Sequence, residues 1–245
     1  MYQFFVEPEQ IEQEEICIYG NDRNHIVNVL RMKAGERIQI GDRQGNTWLC
    51  CIEEIDKEFV RTRILESLEA SQELKSRIYL FQGLPKGDKM ELIIQKAVEL
   101  GAYEIIPVKT KRTVVKLDEK KEQAKKKRWQ MIAESAAKQS KRQIIPEVSS
   151  VISLKEAFLR AKNMNVRLIP YEEADTMQRT RELIGSVQAG QDVAVFIGPE
   201  GGFDREEIEE AIGFGIQPIT LGKRILRTET AGLAVLSVLM YQLEE

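Results

Sequence analysis

From residue 77 onward, short apolar segments alternate with longer helical segments, and this alternation constrains the fold more than any other feature of the chain. Strands are predicted at residues 78–83, 104–108, 166–171, 193–198 and 216–221. Helices are predicted at residues 89–100, 118–140, 154–162, 176–187, 204–213 and 229–243. Alternation of this kind is typical of a mostly parallel sheet with helices on both faces. The second part of the chain is therefore predicted to be an α/β domain.

The first part of the chain has a different pattern. Extended segments are predicted at residues 16–19, 37–40, 47–55 and 58–65, with a hairpin turn at 41–46 (GDRQGN) and one helix near 22–31. This pattern predicts a small β-barrel. The polar segment 66–76 is the natural boundary, so two domains are predicted, residues 1–70 and 74–245.

Charge is distributed unevenly between the two parts. Residues 1–72 carry 8 Lys and Arg against 14 Asp and Glu, whereas residues 73–245 carry 28 against 25. Within the second part, residues 109–142 hold 13 basic and 4 acidic residues, and this segment would attract a polyanion such as RNA. Charge alone leaves open whether the segment contacts RNA or is only a solvated helix face.

Residue usage disfavours several classes of protein. His25 is the only histidine, and Cys17, Cys50 and Cys51 lack CxxC spacing, so neither a zinc site, nor any other metal, nor a disulfide framework is predicted. The first ten residues lack the basic start and apolar core of a secretion signal. The longest apolar stretch, 231–241, is far shorter than the roughly 18 residues that suggest a membrane span. A cytoplasmic protein without membrane contact is predicted.

A loop rich in glycine, FIGPEGGF at residues 196–203, follows the predicted strand 193–198. Ligands of open parallel sheets bind beyond the carboxyl ends of strands, and glycines let main-chain amides approach a ligand closely. Asp204 and Glu207 are predicted to form a capping box that begins the next helix. Neither GxxxxGK[ST] nor a GxGxxG motif after a strand is present, which disfavours a P-loop enzyme and a dinucleotide-binding dehydrogenase.

A second loop, LGKRILRTETA at residues 221–231, also leaves a predicted strand end and begins the last helix. The two loops would line one pocket if strands 193–198 and 216–221 are neighbours. The polar side chains of this loop are cations and candidate helix caps: Lys223, Arg224, Arg227, Thr228 and Thr230. The last helix is apolar nearly all round, which predicts burial either in the domain core or against a second subunit.

These two loops resemble the signature of the RsmE family, SPOUT-class enzymes that use S-adenosylmethionine to methylate N3 of one uridine in 16S ribosomal RNA. Weaker matches extend the resemblance over the whole chain, at NHIVNVLRM (24–32), LPKGDKMELIIQKAVELG (84–101), RWQMIAESAAKQSKR (128–142) and IPYEEA (169–174). The resemblance implies an N-terminal PUA-like β-barrel that binds RNA, a C-terminal SPOUT α/β domain with a deep trefoil knot, and a homodimer that acts on 16S ribosomal RNA or the small subunit.

The resemblance also implies where ligands bind. The methyl donor would be surrounded by residues of both loops and of the segment after strand 166–171: Ile169, Pro170, Tyr171, Glu172, Phe196, Ile197, Gly198, Pro199, Glu200, Gly201, Leu221, Gly222, Ile225, Leu226, Thr228, Glu229, Thr230 and Ala231. RNA would be bound by basic residues of both domains: Arg23, His25 and Arg31 in the first, and Lys86, Lys89, Arg128, Lys138 and Arg142 in the second.

Methyl transfer from a sulfonium needs little covalent help, so positioning should dominate catalysis. Uracil N3 is a poor nucleophile while it holds its proton. We hypothesise that Arg227 stabilises the uracil anion and that Glu200 or Glu229 receives the proton. One departure from the family concerns Gln3, where many members have a basic residue, so a phosphate contact expected there is in doubt.

Two other functions remain open at the level of sequence. One is a SPOUT enzyme that methylates a ribose 2′-hydroxyl of transfer or ribosomal RNA, since the donor loops alone do not exclude it. The other is a non-catalytic protein that binds ribosomal RNA during assembly, in which the glycine loop only holds structure.

Overall fold

The computed structural model describes residues 1–68, 73–115, 117–174 and 176–244. The chain forms two compact units. The first comprises Met1–Glu73 with Ala137–Ile145, and the second comprises Leu74–Ala136 with Pro146–Glu245. The domain boundary predicted near residues 70–74 lies partly outside the described residues. The segment Ala137–Ile145, which the sequence assigned to the second domain, groups with the first unit.

The first unit contains a six-stranded sheet in the order β1-β4-β5-β6-β3-β2. Its strands are β1 (Gln3–Phe5), β2 (Ile11–Glu12), β3 (Glu15–Tyr19), β4 (Arg37–Gly41), β5 (Thr47–Ile55) and β6 (Phe59–Ser67). Alternate side chains of β3 and β4, including Ile16, Ile18 and Ile38, are buried, because successive residues of a strand point to opposite faces. The four predicted strands of this part are confirmed to within two residues.

Two features of this sheet were not predicted. β1 pairs in parallel with β4 at the edge of the sheet. This strand was not predicted because it has only three residues, all buried, and so shows no alternation of polar and apolar side chains. The predicted helix at 22–31 is instead a short helix α1 (Gly20–Asn24) that continues as a π-helix (His25–Val29). Arg31 ends this segment, because its φ of 55° is left-handed and incompatible with a continuing right-handed helix.

Gln3, which departs from the family pattern, has a structural role in the first unit. Its side chain is buried, and its Nε2 donates a hydrogen bond of 2.6 Å to the carbonyl oxygen of Arg142. Arg142 is itself held by Glu73, with Nη2 2.5 Å from Oε2. The hydrogen bond from Gln3 therefore links β1 to the segment Ala137–Ile145.

The second unit contains a seven-stranded parallel sheet in the order β10-β8-β7-β12-β11-β13, with β9 also paired to β8. Its strands are β7 (Arg77–Gly83), β8 (Ala102–Lys109), β9 (Glu147–Val148), β10 (Ile152–Ser153), β11 (Val166–Pro170), β12 (Asp192–Ile197) and β13 (Gln217–Ile219). All five predicted strands of this part are present, so the mixed α/β class and the parallel sheet are confirmed.

In the described part of this unit, six helices alternate with the strands: α2 (Lys89–Glu99), α3 (Glu119–Ser140), α4 (Leu154–Ala161), α5 (Met177–Gly185), α6 (Arg205–Gly213) and α7 (Thr228–Leu243). The core beneath α4 and α6 contains a cluster of aromatic rings: Phe81 and Phe196 are stacked with their centroids 4.5 Å apart, and Phe158 meets Phe196 edge-on at 5.4 Å. None of the helices in the described part of the chain has the length and apolarity needed to cross a membrane.

The order of the strands does not meet the condition under which the two loops were expected to share a pocket. β12 and β13 are not neighbours, because β11 pairs with both of them and lies between them. The segment that follows β11 therefore lies between the two glycine-containing loops at the carboxyl edge of the sheet.

The last helix, α7, is buried on one side only. Val235, Leu236 and Leu239 are fully buried and pack within the second unit, where α7 contacts α2, β7 and β12. Val238 and Tyr241 are 48% and 85% exposed. One face of α7 therefore belongs to the core of the domain, and the other face is uncovered within the described part of a single chain. Burial in the core and contact with a second subunit, the two alternatives for this helix, thus both remain open.

Candidate functional site

A cavity of about 320 Å³ opens at the carboxyl ends of β11, β12 and β13. Its walls come from three segments, one after each strand, and from the loop after β8: Arg112, Pro170, Tyr171, Glu172, Ile197, Gly198, Pro199, Glu200, Gly201, Gly202, Phe203, Thr220, Leu221, Gly222, Lys223, Arg224, Ile225, Leu226, Thr228 and Ala231. The prediction that both loops line one pocket is therefore met in the structure, although their strands are separated by β11.

The glycine loop is folded tightly on itself. A Cβ on Gly198 would lie 3.0 Å from the Gly202 backbone, and Gly202 has a φ of +67°, which favours glycine. The Gly202 N–H donates to the carbonyl oxygen of Pro199 at 2.9 Å. The capping box predicted for the next helix is present, because the Asp204 side chain accepts the N–H of Glu206 in the first turn and the Glu207 side chain accepts the N–H of the N-cap residue Asp204. Backbone geometry thus fixes one wall of the cavity.

Thr228 connects the two loops. Its hydroxyl donates to the carbonyl oxygen of Gly198 at 2.5 Å and accepts from Nε2 of Gln82 at 2.9 Å. The prediction that Thr228 or Thr230 caps α7 is wrong, because the N-cap residue is Arg227 and no side chain caps this end. The Thr228 hydroxyl donates its hydrogen bond to the Gly198 carbonyl oxygen instead.

Glu200 is the carboxylate of the cavity wall with the most contacts. Its Oε1 accepts from Nζ of Lys89 at 2.8 Å and from the backbone N–H of Lys86 at 3.0 Å. Burial, the largest single influence, would raise the pKa of Glu200, but these hydrogen bonds together outweigh it and hold the pKa below its usual value. A carboxylate held in its charged form is a weak base, so this environment does not favour Glu200 as the proton acceptor.

Glu229, the alternative acceptor, lies in the first turn of α7 and does not line the cavity. Its Oε2 is buried and has no hydrogen-bond partner among the described residues. Among the described residues, a cation within 4.0 Å of Oε2 is Lys89, whose Nζ is 3.9 Å away. Lys89, predicted to bind RNA, is thus placed between two carboxylates.

Arg112 is a cavity residue that the sequence analysis did not identify. It follows β8, and its Nη1 donates to the carbonyl oxygen of Gly201 at 2.9 Å, while Nη2 lies 3.3 Å from Oδ2 of Asp204. The Glu206 N–H first, and the Arg112 guanidinium less strongly, hold the pKa of Asp204 below its usual value. Only the overall charge of the segment 109–142 pointed to this residue.

Not all the residues predicted to surround a donor reach the cavity. Ile169 and Phe196 are fully buried in the core, and neither the partly buried Glu229 nor the exposed Thr230 lines the cavity. Arg227 is exposed and also does not line the cavity. The structure brings together the remaining predicted donor residues: Pro170, Tyr171, Glu172, Ile197, Gly198, Pro199, Glu200, Gly201, Leu221, Gly222, Ile225, Leu226, Thr228 and Ala231.

The cations predicted to bind RNA in the first unit differ in exposure. Arg31 and His25 are exposed, and the ring of His25 lies edge-on to Phe4 at 6.1 Å. Arg23 donates two hydrogen bonds to the carbonyl oxygen of Asp56.

Lys138 and Arg142, predicted in the second domain, belong to the first unit. Lys138 pairs with Asp22 at 2.8 Å. The Arg142 side chain is only 6% exposed and pairs with Glu73, so the structure does not place it on the surface that RNA contact would require.

Lys86 and Arg128 are the exposed members of the predicted RNA set in the second unit. Lys86 uses its backbone N–H for Glu200, which leaves its ammonium group outside that contact. Arg128 pairs with Glu91 through its Nε at 2.7 Å, and the Arg128 side chain is mostly exposed, so solvent weakens this ion pair.

Models of two protein families match the chain. An RNA methyltransferase domain matches residues 72–240, and an RNA methyltransferase PUA domain matches residues 18–65. The chain is 38% identical to the ribosomal RNA small subunit methyltransferase E of Bacillus subtilis, with 100% of this chain and 98% of that protein covered. It is 35% identical to the protein of the same name from Mesomycoplasma hyopneumoniae, with 97% and 98% covered.

Two solved structures of relatives contain S-adenosylmethionine. A ribosomal RNA small subunit methyltransferase E from Neisseria gonorrhoeae, bound to S-adenosylmethionine, superposes with a TM-score of 0.87 at 32% identity and covers 98% of this chain and 97% of its own. A methyltransferase from Legionella pneumophila, in complex with the same cofactor, superposes with a TM-score of 0.86 at 34% identity over the same shares of the chains.

Proposed function

This chain belongs to the ribosomal RNA small subunit methyltransferase E family, and we propose that its activity is methylation of N3 of one uridine in 16S ribosomal RNA. It is a methyltransferase of small-subunit ribosomal RNA that uses S-adenosylmethionine. The observation that carries the proposal is the cavity formed by the two signature loops at the carboxyl edge of the sheet. We further propose that the protein acts in the cytoplasm.

The cavity fits a donor held mainly by main-chain groups. Gly202 and Gly222 line the cavity and have φ values of +67° and +104°. A Cβ on either residue would meet no atom within 4 Å, so a ligand has room to approach the backbone there. Glu172 and Glu200 supply carboxylates, and Ile225 and Leu226 supply apolar surface. When bound, S-adenosylmethionine supplies an electrophilic methyl group, and this chain's residues orient it and exclude water. Calorimetric titration tests the assignment, since failure to bind the donor would favour a non-catalytic RNA-binding protein.

Arg227 is proposed to stabilise the anion of the target uracil, and Glu229 to receive its N3 proton. Arg227 is exposed at the start of α7, so its guanidinium is free to meet a substrate that approaches the mouth of the cavity from solvent. Glu229 is preferred over Glu200 because its Oε2 has no hydrogen-bond partner among the described residues, whereas Glu200 is held by Lys89. The proton is transferred to Glu229 either directly or through one water molecule.

The variant Arg227→Ala tests this role. Donor affinity should stay within about twofold of wild type, while turnover falls by about 10²–10³-fold, the usual loss when one group that stabilises developing charge is removed. Single-turnover methylation of 16S ribosomal RNA measures the second quantity. Arg181→Ala is the matched control, since this exposed arginine of α5 does not line the cavity and should leave both quantities unchanged. Near-full turnover in Arg227→Ala would remove Arg227 from the mechanism.

RNA contact is proposed for exposed basic residues of each unit. In the first unit these are Arg31 and His25, with Arg23 and Lys138 beside them, and in the second unit Lys86 and Arg128. Contacts of cations with phosphates release counterions, so RNA affinity should fall steeply with salt. An RNA affinity that does not change with salt concentration would contradict contact between these residues and phosphates.

A homodimer is proposed through the exposed face of α7. Val238 and Tyr241 of α7 are 48% and 85% exposed, and Ile225, in the loop before this helix, is 87% exposed. Exposed apolar side chains that lie together mark candidate interaction surfaces. Analytical ultracentrifugation at micromolar concentration should give the mass of two chains. Tyr241→Glu should shift the population to monomer, and a purely monomeric wild type would contradict the proposal.

A trefoil knot is proposed for the second unit. The chain leaves the sheet at its edge strand β13, and α7 then returns to pack against β7 and β12 nearer the centre. A return path of this kind is what threading of the last helix requires. An experimental backbone trace in which the last helix does not pass through a preceding loop would contradict it.

A further inference from the structure

Lys89, the first residue of α2, joins three elements of the second unit. Its Nζ lies 2.8 Å from Oε1 of Glu200, in the glycine loop, and 3.9 Å from Oε2 of Glu229, in the first turn of α7. The lysine is only partly exposed, with 34% of its side chain accessible. Screening by solvent is therefore weaker than for a surface ion pair. One ammonium group fixes the relative positions of two carboxylates that come from both signature loops.

Both hydrogen bonds that Glu200 accepts from other described residues are on the same carboxylate oxygen, Oε1. Lys89 Nζ and the Lys86 N–H both donate to Oε1, at 2.8 and 3.0 Å. No hydrogen bond from another described residue reaches Oε2, and Glu200 lines the cavity. The carboxylate is thus anchored at one oxygen and available at the other.

Glu229 depends on the same lysine. Its Oε2 is buried without a hydrogen bond among the described residues, and only 17% of its side chain is exposed. Burying a carboxylate without compensation is costly. Because Lys89 is the cation found near this oxygen, its ammonium group serves both carboxylates at once.

We infer that Lys89 is a positioning residue of the donor site: it holds Glu200 through Oε1 so that Oε2 accepts a hydrogen bond from an O–H or N–H group of the methyl donor. The inference rests on the proposed function, because it assumes that the cavity binds S-adenosylmethionine. It replaces the prediction that Lys89 contacts RNA. The group that donates to Glu200 is either a ribose hydroxyl or the ammonium of the amino-acid tail.

Calorimetric titration of the full chain with S-adenosylhomocysteine tests the inference. Lys89→Met should weaken binding about tenfold, the expected loss of one charge-assisted hydrogen bond. Glu200→Gln should weaken it to a similar extent. In the double variant, Lys89→Met should add less than about twofold to the effect of Glu200→Gln, because the lysine acts through that carboxylate. Lys89→Arg should restore affinity to within about threefold of wild type.

The pH dependence of the same titration gives an independent readout. Lys89 helps to keep the pKa of Glu200 low, so its removal raises that pKa. On acidification, affinity should therefore begin to fall at a higher pH in Lys89→Met than in wild type. 5′-Methylthioadenosine, which keeps the ribose and lacks the amino acid, identifies the donor: an equal loss with this ligand assigns the ribose, and no loss assigns the ammonium.

Lys96→Met is the matched control. Lys96 also lies on α2 and pairs with Glu99 at 2.8 Å, away from the cavity, so its removal should leave affinity unchanged. Wild-type affinity in Lys89→Met, or an equal loss in the Glu200→Gln background, would overturn the inference. If Lys89→Met does not fold, the effect of Glu200→Gln and the recovery in Lys89→Arg decide the matter. A wild-type chain that binds no donor contradicts the proposed function itself.

Discussion

Replacing Gly83 by alanine is expected to destabilise the second unit by about 3 kcal/mol and to weaken donor binding at least tenfold. Gly83 is the last residue of β7, which pairs with β8 on one side and β12 on the other. A Cβ there would lie 2.6 Å from the Pro199 nitrogen and 2.9 Å from the Gly198 carbonyl carbon. These are backbone atoms of the glycine loop, so the strain cannot be relieved by rotating a side chain. The loop must move away from the sheet, and the cavity wall moves with it.

Urea unfolding and calorimetric titration with S-adenosylhomocysteine measure the two effects of Gly83→Ala. Gly185→Ala is the matched control, because Gly185 ends a helix and an added Cβ would meet no atom within 4 Å. This control should be neutral, or more stable by up to about 1 kcal/mol, because alanine favours a helix more than glycine does. If Gly83→Ala kept both wild-type stability and wild-type affinity, the close approach of β7 to the glycine loop would not exist in solution.

Replacing Arg142 by methionine is expected to destabilise the first unit by about 3–5 kcal/mol. The side chains of Arg142 and Glu73 are 6% and 16% exposed, so removal of the guanidinium leaves a buried carboxylate without its main counter-charge. Glu73 also accepts the N–H groups of Gln143 and Ile144, so the loss reaches the whole segment Ala137–Ile145. Urea unfolding followed by fluorescence of Trp48, in a Trp129→Phe background, reports on this unit because Trp48 belongs to β5.

Arg31→Met is the matched variant for Arg142→Met, because Arg31 is exposed in the same unit. Its stability should stay within about 0.5 kcal/mol of wild type, the usual range for surface substitutions. RNA affinity should fall, and the slope of log affinity against log salt concentration should decrease in magnitude by about one, as expected for the loss of one phosphate contact. The opposite pattern, with Arg142→Met stable and altered only in RNA binding, would return Arg142 to the role that the sequence predicted for it.

Local patterns in the sequence predicted much of the fold. Hydrophobic periodicity identified the helices and five of the described strands of the second unit, but not the two-residue strands β9 and β10. The spacing of Asp204 and Glu207 predicted a capping box that the structure contains. These features depend on residues a few positions apart. The glycines and the position of both loops after strands predicted one shared cavity only if β12 and β13 were neighbours, and the structure contains the cavity although β11 lies between them.

Features that depend on distant pairings were not predictable. The position of β11 between β12 and β13 follows from pairing across the sheet, which no local pattern encodes. Glu73 and Arg142 are separated by 69 residues, so nothing near Arg142 in the sequence indicated its burial. Lys89 and Glu200 are 111 residues apart, and a lysine at the start of a helix looks the same whether it meets RNA or a carboxylate.

The position and chemical form of the methylated nucleotide test the central proposal most directly. Small subunits from cells that lack this protein would be incubated with the purified chain and S-adenosylmethionine, and nucleosides from their 16S ribosomal RNA would be analysed by mass spectrometry. The expected result is one uridine that is unmodified before incubation and N3-methylated afterwards. A methyl group on a ribose 2′-hydroxyl, a product only in transfer RNA, or no product at all would contradict the account.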